Sequence, residues 1–184
     1  MKVWPVPDSF SKSLPKEGML GSFWQNRGDR YHCGVDIFAP AGSDVLAIQN
    51  GKVIDIGKFT SSDTTNFLNE SYYIIIKTSQ GINVKYAELE DITVRIGDFV
   101  NAGQRIARIA KVLNEEHLSH STPHYLREMI LQGKYSMLHL ETYIAPISEV
   151  KPYIYGNYVG KTRPFSVIDP ALFLNGSVHQ SDDD

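Results

Sequence analysis

The amino-acid sequence predicts a mostly β domain built on an antiparallel sheet. Short runs in which apolar and polar residues alternate recur between residues 44 and 109, and Gly, Asn or Asp residues separate them. Only one segment, near residues 123–133, has the pattern of a helix. The chain has 184 residues, of which 42% are hydrophobic. This is enough to bury the core of a single domain, 1–184.

The N-terminal third of the chain gives two predictions. Residues 1–20 contain three prolines and alternate weakly, so we expect an extended entry segment along the surface. Residues 44–57, DVLAIQNGKVIDIG, form two alternating runs around Asn50 and Gly51. Because Asn-Gly suits a type I′ turn, we predict a hairpin here.

The next segments repeat the strand pattern. The stretch YYIIIKTSQGINVKYAEL predicts strands over 72–77 and 82–89, joined by a turn that contains Gly81. Residues 92–109 add two β-rich pieces, punctuated by glycine-containing turns.

Residues 111–135 interrupt the strand pattern. The run after Pro123, HYLREMILQG, predicts a helix that begins near the proline and ends at Gly133. A strand pattern returns in YSMLHLETYIA. We expect residues 146–178 to form a C-terminal extension and the acidic residues 179–184 to be a disordered tail.

Composition excludes several classes of function. The net charge of −3 offers no basic field for nucleic acid. No apolar run approaches the roughly 18 residues that a membrane span needs, so no membrane insertion is expected. Cys33 is the single cysteine, which rules out an internal disulfide. The N-terminus lacks the features of a signal peptide, which predicts a cytoplasmic protein as written, or an extracytoplasmic one if a signal sequence was removed.

The segment YHCGVDIF, residues 31–38, places two metal-binding side chains close together. In an extended chain His32, Gly34 and Asp36 point to one face, and Cys33 points to the other. Zinc accepts His nitrogen and carboxylate oxygen ligands, and catalytic zinc sites usually have three protein ligands.

Three blocks of the chain resemble the lysostaphin-type zinc metallopeptidases. Residues 21–57 are similar to the family's Arg-x-His-x-Gly-x-Asp segment, apolar-Ala-Pro-x-Gly turn and Val-x-Ala…Gly-x-Val hairpin. Residues 83–109 are similar to its Tyr-Ala-His-Leu block, and residues 136–143, SMLHLETY, to its closing His-x-His-apolar-Glu strand. A metallopeptidase-like core over 21–145 is therefore expected. The matching positions of the first block are Arg30, His32, Gly34, Asp36, Ala39, Pro40, Gly42, Val45, Ala47, Gly51 and Val53.

This resemblance implies a fold, a metal and an activity. The fold is an antiparallel β-sheet crossed by a groove, with zinc at its floor held by His32, Asp36 and His139. The activity is hydrolysis of peptide bonds by metal-activated water. Family members commonly cut peptidoglycan, so a peptide or a peptidoglycan stem or bridge is the expected substrate or ligand.

Two positions depart from the family's pattern. Met137 stands at the first histidine of His-x-His, and Glu88 stands at the histidine of Tyr-Ala-His-Leu. A thioether neither takes nor donates a proton near neutral pH, whereas a carboxylate beside a metal can act as general base. We therefore expect Glu88 to be a catalytic residue.

The insertion supplies a second catalytic candidate, His124. The stretch STPHYLREM resembles the family's Ser-Thr-Gly-Pro-His-x-His-apolar-Glu run, but that alignment puts Leu126 at the third ligand position. With His139 kept as the ligand, His124 is expected to fold back over the site. Arg30, two residues before His32, is expected to bind a substrate carbonyl.

Three functions are consistent with these residues. The first is a zinc metalloendopeptidase in which Glu88 or His124 is the base. The alternative, favoured by Met137, is a catalytically impaired zinc-containing module that binds peptides or regulates. A third is an enzyme whose open zinc site hydrolyses another substrate inside the cell.

Overall fold

The computed structural model describes residues 1–63, 66–118 and 122–175, and within these ranges the protein is mostly β. The predicted acidic tail, 179–184, lies outside the described residues. Two short helices are present, α1 (His124–Leu131) and α2 (Pro170–Leu174). Single 3-10 turns lie at Glu115–His117 and Ile147–Glu149. The strands are β1 (Tyr31–His32), β2 (Val35–Phe38), β3 (Asp44–Leu46), β4 (Gly51–Thr60), β5 (Ser71–Thr78), β6 (Asn83–Glu90), β7 (Phe99–Val100), β8 (Arg105–Ile109), β9 (Met137–Tyr143), β10 (Tyr153–Ile154), β11 (Asn157–Tyr158) and β12 (Val167–Ile168).

The strands form a nine-stranded and a three-stranded sheet, and every strand pairing among the described residues is antiparallel. The larger sheet runs in the order β12-β9-β6-β5-β4-β7, with β2 paired to β9 and β3 to β8. The smaller sheet has the order β1-β11-β10. This confirms the predicted fold class, and it makes β9 the strand that joins β2, β6 and β12.

Strand β9 separates an apolar core from a polar face. Leu138 and Leu140 point into the main core, where Val35 and Ile37 of β2 pack against them. The alternate residues Met137, His139 and Glu141 therefore share the other face, as the period of two in a strand requires. All three are buried.

The predicted hairpin over 44–57 is wrong. Strand β3 pairs with β8, and β4 pairs with β5 and β7, so the two runs around Asn50 and Gly51 do not pair with each other. A type I′ turn needs positive φ at both central residues, and neither residue has it. Asn50 is used elsewhere: its side-chain oxygen accepts a hydrogen bond of 2.8 Å from the backbone N–H of Ala102.

The other local predictions agree better with the structure. Strands β5 and β6 form the expected hairpin, with Gly81 at φ +81 in its turn. Helix α1 follows Pro123 and ends before Gly133, whose positive φ is typical of a helix C-terminus. The entry segment 1–20 does more than lie along the surface, because Trp4 and Val6 are part of the main core. Among the described helices, none is long and apolar enough to cross a membrane.

Candidate metal centre

His32, Asp36 and His139 converge at one point of the sheet. Strands β2 and β9 pair so that Asp36 lies opposite His139, and His32 reaches the same point from β1. His139 Nδ1 lies 2.9 Å from both Asp36 Oδ1 and His32 Nε2, and His32 Nε2 lies 3.2 Å from Asp36 Oδ1. All three residues are buried. Three ligand atoms so close together make this a group that can hold a metal ion.

The outer nitrogen of each imidazole is held by a group that only accepts hydrogen bonds. His32 Nδ1–H donates to the carbonyl oxygen of Ser22 at 2.8 Å, and His139 Nε2–H donates to Glu141 Oε1 at 2.7 Å. These bonds direct His32 Nε2 and His139 Nδ1 toward Asp36. Partners of this kind are typical of metal-bound histidines, because they fix the tautomer and the ring orientation. The donor set and its surroundings therefore fit a zinc ion.

Glu141 is itself held by several buried groups. The hydroxyl of Tyr153 donates to its Oε1 at 2.5 Å, the hydroxyl of Tyr143 donates to Oε2, and Lys85 Nζ lies 3.7 Å from Oε1. Burial alone would raise the pKa of Glu141, but Lys85 and the His139 hydrogen bond lower it to about 2. Glu141 is therefore an ionised acceptor for His139 at neutral pH.

The two histidines have pKa values shifted in opposite directions. Burial, together with the nearby Arg27 cation, lowers the pKa of His32 to about 4, so its Nε2 is free of a proton at neutral pH. For His139 burial acts against ionisation, but hydrogen bonds to Asp36 and Glu141 raise the pKa to about 9. Without metal, a proton on His139 Nδ1 thus lies between the acceptor atoms of His32 and Asp36.

Comparison with known protein families agrees with this arrangement. The model of Peptidase family M23 matches residues 30–136, which is more than half of the chain and includes His32 and Asp36. The chain belongs to peptidase family M23. Among curated protein sequences, none matches the chain.

Several solved structures share the fold of this M23 chain. The antimicrobial peptidase lysostaphin from Staphylococcus simulans is 19% identical, with a TM-score of 0.54 over 100% of this chain and 61% of that chain. The crystal structure titled cbpa from L. salivarius REN is 16% identical, with a TM-score of 0.52 over 93% of this chain and 94% of that one. The catalytic domain of lysostaphin is 22% identical over 79% of this chain and 80% of that chain, with a TM-score of 0.47. This chain thus spans about three-fifths of the length of whole lysostaphin.

A cavity of about 200 Å³ lies against Asp36 and His139. It corresponds to the groove that the sequence predicts. Strands β6 and β9 contribute Glu88 and Met137 to its lining, and α1 contributes Tyr125. The predicted helical insertion therefore forms one wall of the candidate site of this M23 chain.

Glu88 reaches the cavity because β6 contains a bulge. Tyr72 pairs with Leu89 and Tyr73 with Ala87, which leaves Glu88 as an extra residue with φ 63. A bulge of this kind changes the direction of a side chain, and bulges are frequent next to active sites. Ser71 Oγ donates to Glu88 Oε2 at 2.6 Å. Burial raises the pKa of Glu88 to about 7, although the Ser71 hydrogen bond opposes this shift.

The other predicted site residues have different positions. Arg30 lines the cavity, but its guanidinium donates to both carboxylate oxygens of Asp29, at 2.8 and 2.7 Å. His124 is exposed on α1 and does not line the cavity. The structure therefore provides no contact between His124 and the metal cluster.

Sequence reasoning missed several residues of the site. Arg27 Nη2 donates to Asp36 Oδ2 at 3.0 Å, and Arg27 Nη1 donates to Asn157 Oδ1 at 3.1 Å. Tyr153 and Gly156 come from the C-terminal extension, and an added Cβ on Gly156 would lie 2.4 Å from His139 Nε2. Glu141 is part of the His-x-His-apolar-Glu pattern, so the sequence contained a signal for it. The other residues match no motif.

Proposed function

We propose that this M23 chain is a zinc-dependent peptidase in which His32, Asp36 and His139 hold the metal. One observation carries the proposal: both imidazoles present their inner nitrogens to Asp36 while Ser22 and Glu141 hold their outer N–H groups. When bound, zinc acts as a Lewis acid that polarises a carbonyl group and makes water nucleophilic near neutral pH. Family membership supports peptide or peptidoglycan-type substrates.

Glu88 is the proposed general base and acid. Its carboxyl group lines the cavity that contains the metal ligands, and a pKa of about 7 lets it take up or release a proton near neutral pH. Ser71 holds one oxygen of the carboxyl group, which leaves the other for a water molecule or a substrate N–H. Glu88 would thus replace the imidazole that the family pattern has at this position. His124 is not retained as a candidate because its exposed position leaves it no contact with the cavity.

The experiment is hydrolysis of oligoglycine and peptidoglycan-derived peptides by zinc-supplied protein. We expect activity that a chelator abolishes and added zinc restores. The Glu88→Gln variant should keep its zinc and lose about 10²- to 10⁴-fold in rate, as expected when a general base is removed. Equal rates in wild type and Glu88→Gln would contradict the proposed role of Glu88.

The second candidate function is a zinc-containing module that binds peptides without cutting them. Met137 favours it, because this buried thioether lines the cavity where the family pattern has a histidine. Comparing Met137→His with wild type separates the two functions. Hydrolysis that appears only in the variant would make the native chain a binding or regulatory protein.

A further inference from the structure

We propose that the cavity binds the free C-terminal carboxylate of a short peptide, and that Arg27 is the side chain that binds it. The inference rests on the proposed function and specifies its substrate class. The chain would release a C-terminal residue instead of cutting within a long strand. The reaction is simple hydrolysis: the C–N bond breaks, the OH of water goes to the carbonyl carbon, and its H goes to the leaving nitrogen.

Arg27 is a buried cation with unused hydrogen-bond donors. Its side chain is only 6% exposed, and it lines the cavity. A guanidinium has five N–H donors, of which one goes to Asp36 and one to Asn157. The Nε–H has no partner among the described residues. A buried donor without an acceptor is unfavourable, so a ligand that supplies the acceptor gains affinity.

The environment of Arg27 favours a carboxylate as that acceptor. The ring of Tyr125 lies 4.3 Å from the guanidinium carbon and limits the orientation of the guanidinium plane. A planar guanidinium held in this way binds a carboxylate through two parallel hydrogen bonds. Arg30, a second cation, lines the same cavity, although Asp29 already neutralises it.

Helix α1 limits the length of the ligand. Leu126 and Met129 of α1 line the cavity and pack in one apolar cluster with Met137 of β9. The resulting volume of about 200 Å³ is below the roughly 300–1,000 Å³ of pockets for drug-sized ligands. A chain end fits such a cavity better than the middle of a polymer does.

The test compares three peptides by calorimetry on metal-free protein, where binding is measured without turnover. They are N-acetyl-Ala-Ala, its C-terminal amide, and N-acetyl-Ala-Glu-amide, whose only carboxylate is on a side chain. We expect the free acid to bind about tenfold or more tightly than either amide, as a charge-assisted hydrogen bond predicts. Equal affinities for acid and amide, or tight binding of the glutamyl amide, would overturn the proposal.

Variants at the two arginines identify the binding group. Arg27→Gln should remove the preference for the free acid, Arg27→Lys should restore part of it, and the matched control Arg30→Gln should leave it largely unchanged. A preference that survives in a folded Arg27→Gln variant would overturn the assignment to Arg27. If that variant fails to fold, the comparison of acid and amide on wild type still decides whether a carboxylate is recognised.

Hydrolysis of the same peptides separates this inference from the proposed function. Equal cleavage of acid and amide by zinc-supplied protein, with no Arg27 effect, would support the peptidase and overturn the inference. Acid-selective binding that depends on Arg27, with no cleavage of any peptide, would support the inference and contradict the peptidase.

Discussion

Glu88 is the residue on which the chemistry of this M23 chain depends most. Its carboxyl group is buried beside the metal ligands, with Ser71 as its hydrogen-bond donor. A family pattern with a histidine at this position gives no guide to the protonation of a carboxylate. The structure supplies that guide, since burial raises the pKa of Glu88 to about 7, from an ordinary value of 4.5.

This pKa predicts how stability changes with pH. Between about pH 4.5 and 7 the native carboxyl group is protonated while the unfolded one is ionised, so the unfolding free energy falls as pH rises through this window. In the presence of chelator, the difference in unfolding free energy between wild type and Glu88→Gln should fall by about 3 kcal/mol across it. Urea unfolding at a series of pH values measures this difference. Parallel curves for the two proteins would show that Glu88 has an ordinary pKa.

The ligands could be predicted from the sequence at the residue scale, but their partners could not. His32, Asp36 and His139 lie in motifs with fixed spacing, and they converge because Asp36 pairs with His139. Arg27 and Tyr153 reach the site through loops and a distant strand, and no local pattern encodes such contacts. The bulge at Glu88 is another example, because strict alternation from the core residue Tyr86 would turn Glu88 toward the core.

Helix α1 is the element that most changes the shape of the site. The sequence predicted its position from Pro123 and Gly133, but not where it packs. In the structure its apolar residues Leu126 and Met129 pack against Met137 and close one side of the cavity. Its contribution to stability therefore comes from one apolar face.

Substitutions on the two faces of α1 should differ strongly. Met129 is 1% exposed, so Met129→Ala should lower the unfolding free energy by about 2–5 kcal/mol through lost burial and a cavity. Leu131 is 87% exposed on the same helix, and Leu131→Ala should change it by less than about 0.5 kcal/mol. Urea unfolding of both variants gives the comparison. A loss below about 1 kcal/mol for Met129→Ala would mean that α1 does not pack as described.

At the element scale the hairpin around Asn50 and Gly51 shows the limit of local signals. Asn-Gly is a strong turn signal, yet β3 and β4 pair with other strands and the Asn50 side chain binds the Ala102 backbone. The hairpin of β5 and β6 was predictable because its strands are long and adjacent. Long-range pairing within the sheet decided the first case.

At the scale of the whole molecule, the C-terminal extension completes the site. Gly156 packs directly on His139, and its backbone carbonyl accepts a 2.8 Å hydrogen bond from the N–H of Cys33. Tyr153 and Asn157 hold Glu141 and Arg27 from the same segment. The extension and the M23 core therefore form one site, a connection that the motifs do not encode.

Gly156→Ala tests this connection. The new Cβ would lie 2.4 Å from His139 Nε2, in addition to the strain of φ +77. Gly81→Ala is the matched control, because Gly81 has φ +81 but nothing within 4 Å of an added Cβ. The control should cost about 1 kcal/mol of unfolding free energy, and Gly156→Ala about 2 kcal/mol more, together with weakened zinc binding. Equal effects of the two substitutions would place the extension away from His139.

The central claim is that His32, Asp36 and His139 form a zinc site, and zinc content per chain tests it most directly. The measurement is elemental analysis of protein purified without chelators, for wild type, His139→Ala and His117→Ala. His117 is exposed and serves as the matched histidine control. The account predicts about one zinc per chain in wild type and His117→Ala, since a closed set of three buried ligands binds one ion, and little or none in His139→Ala. The absence of zinc from wild type, or its full retention in a folded His139→Ala variant, would contradict the account.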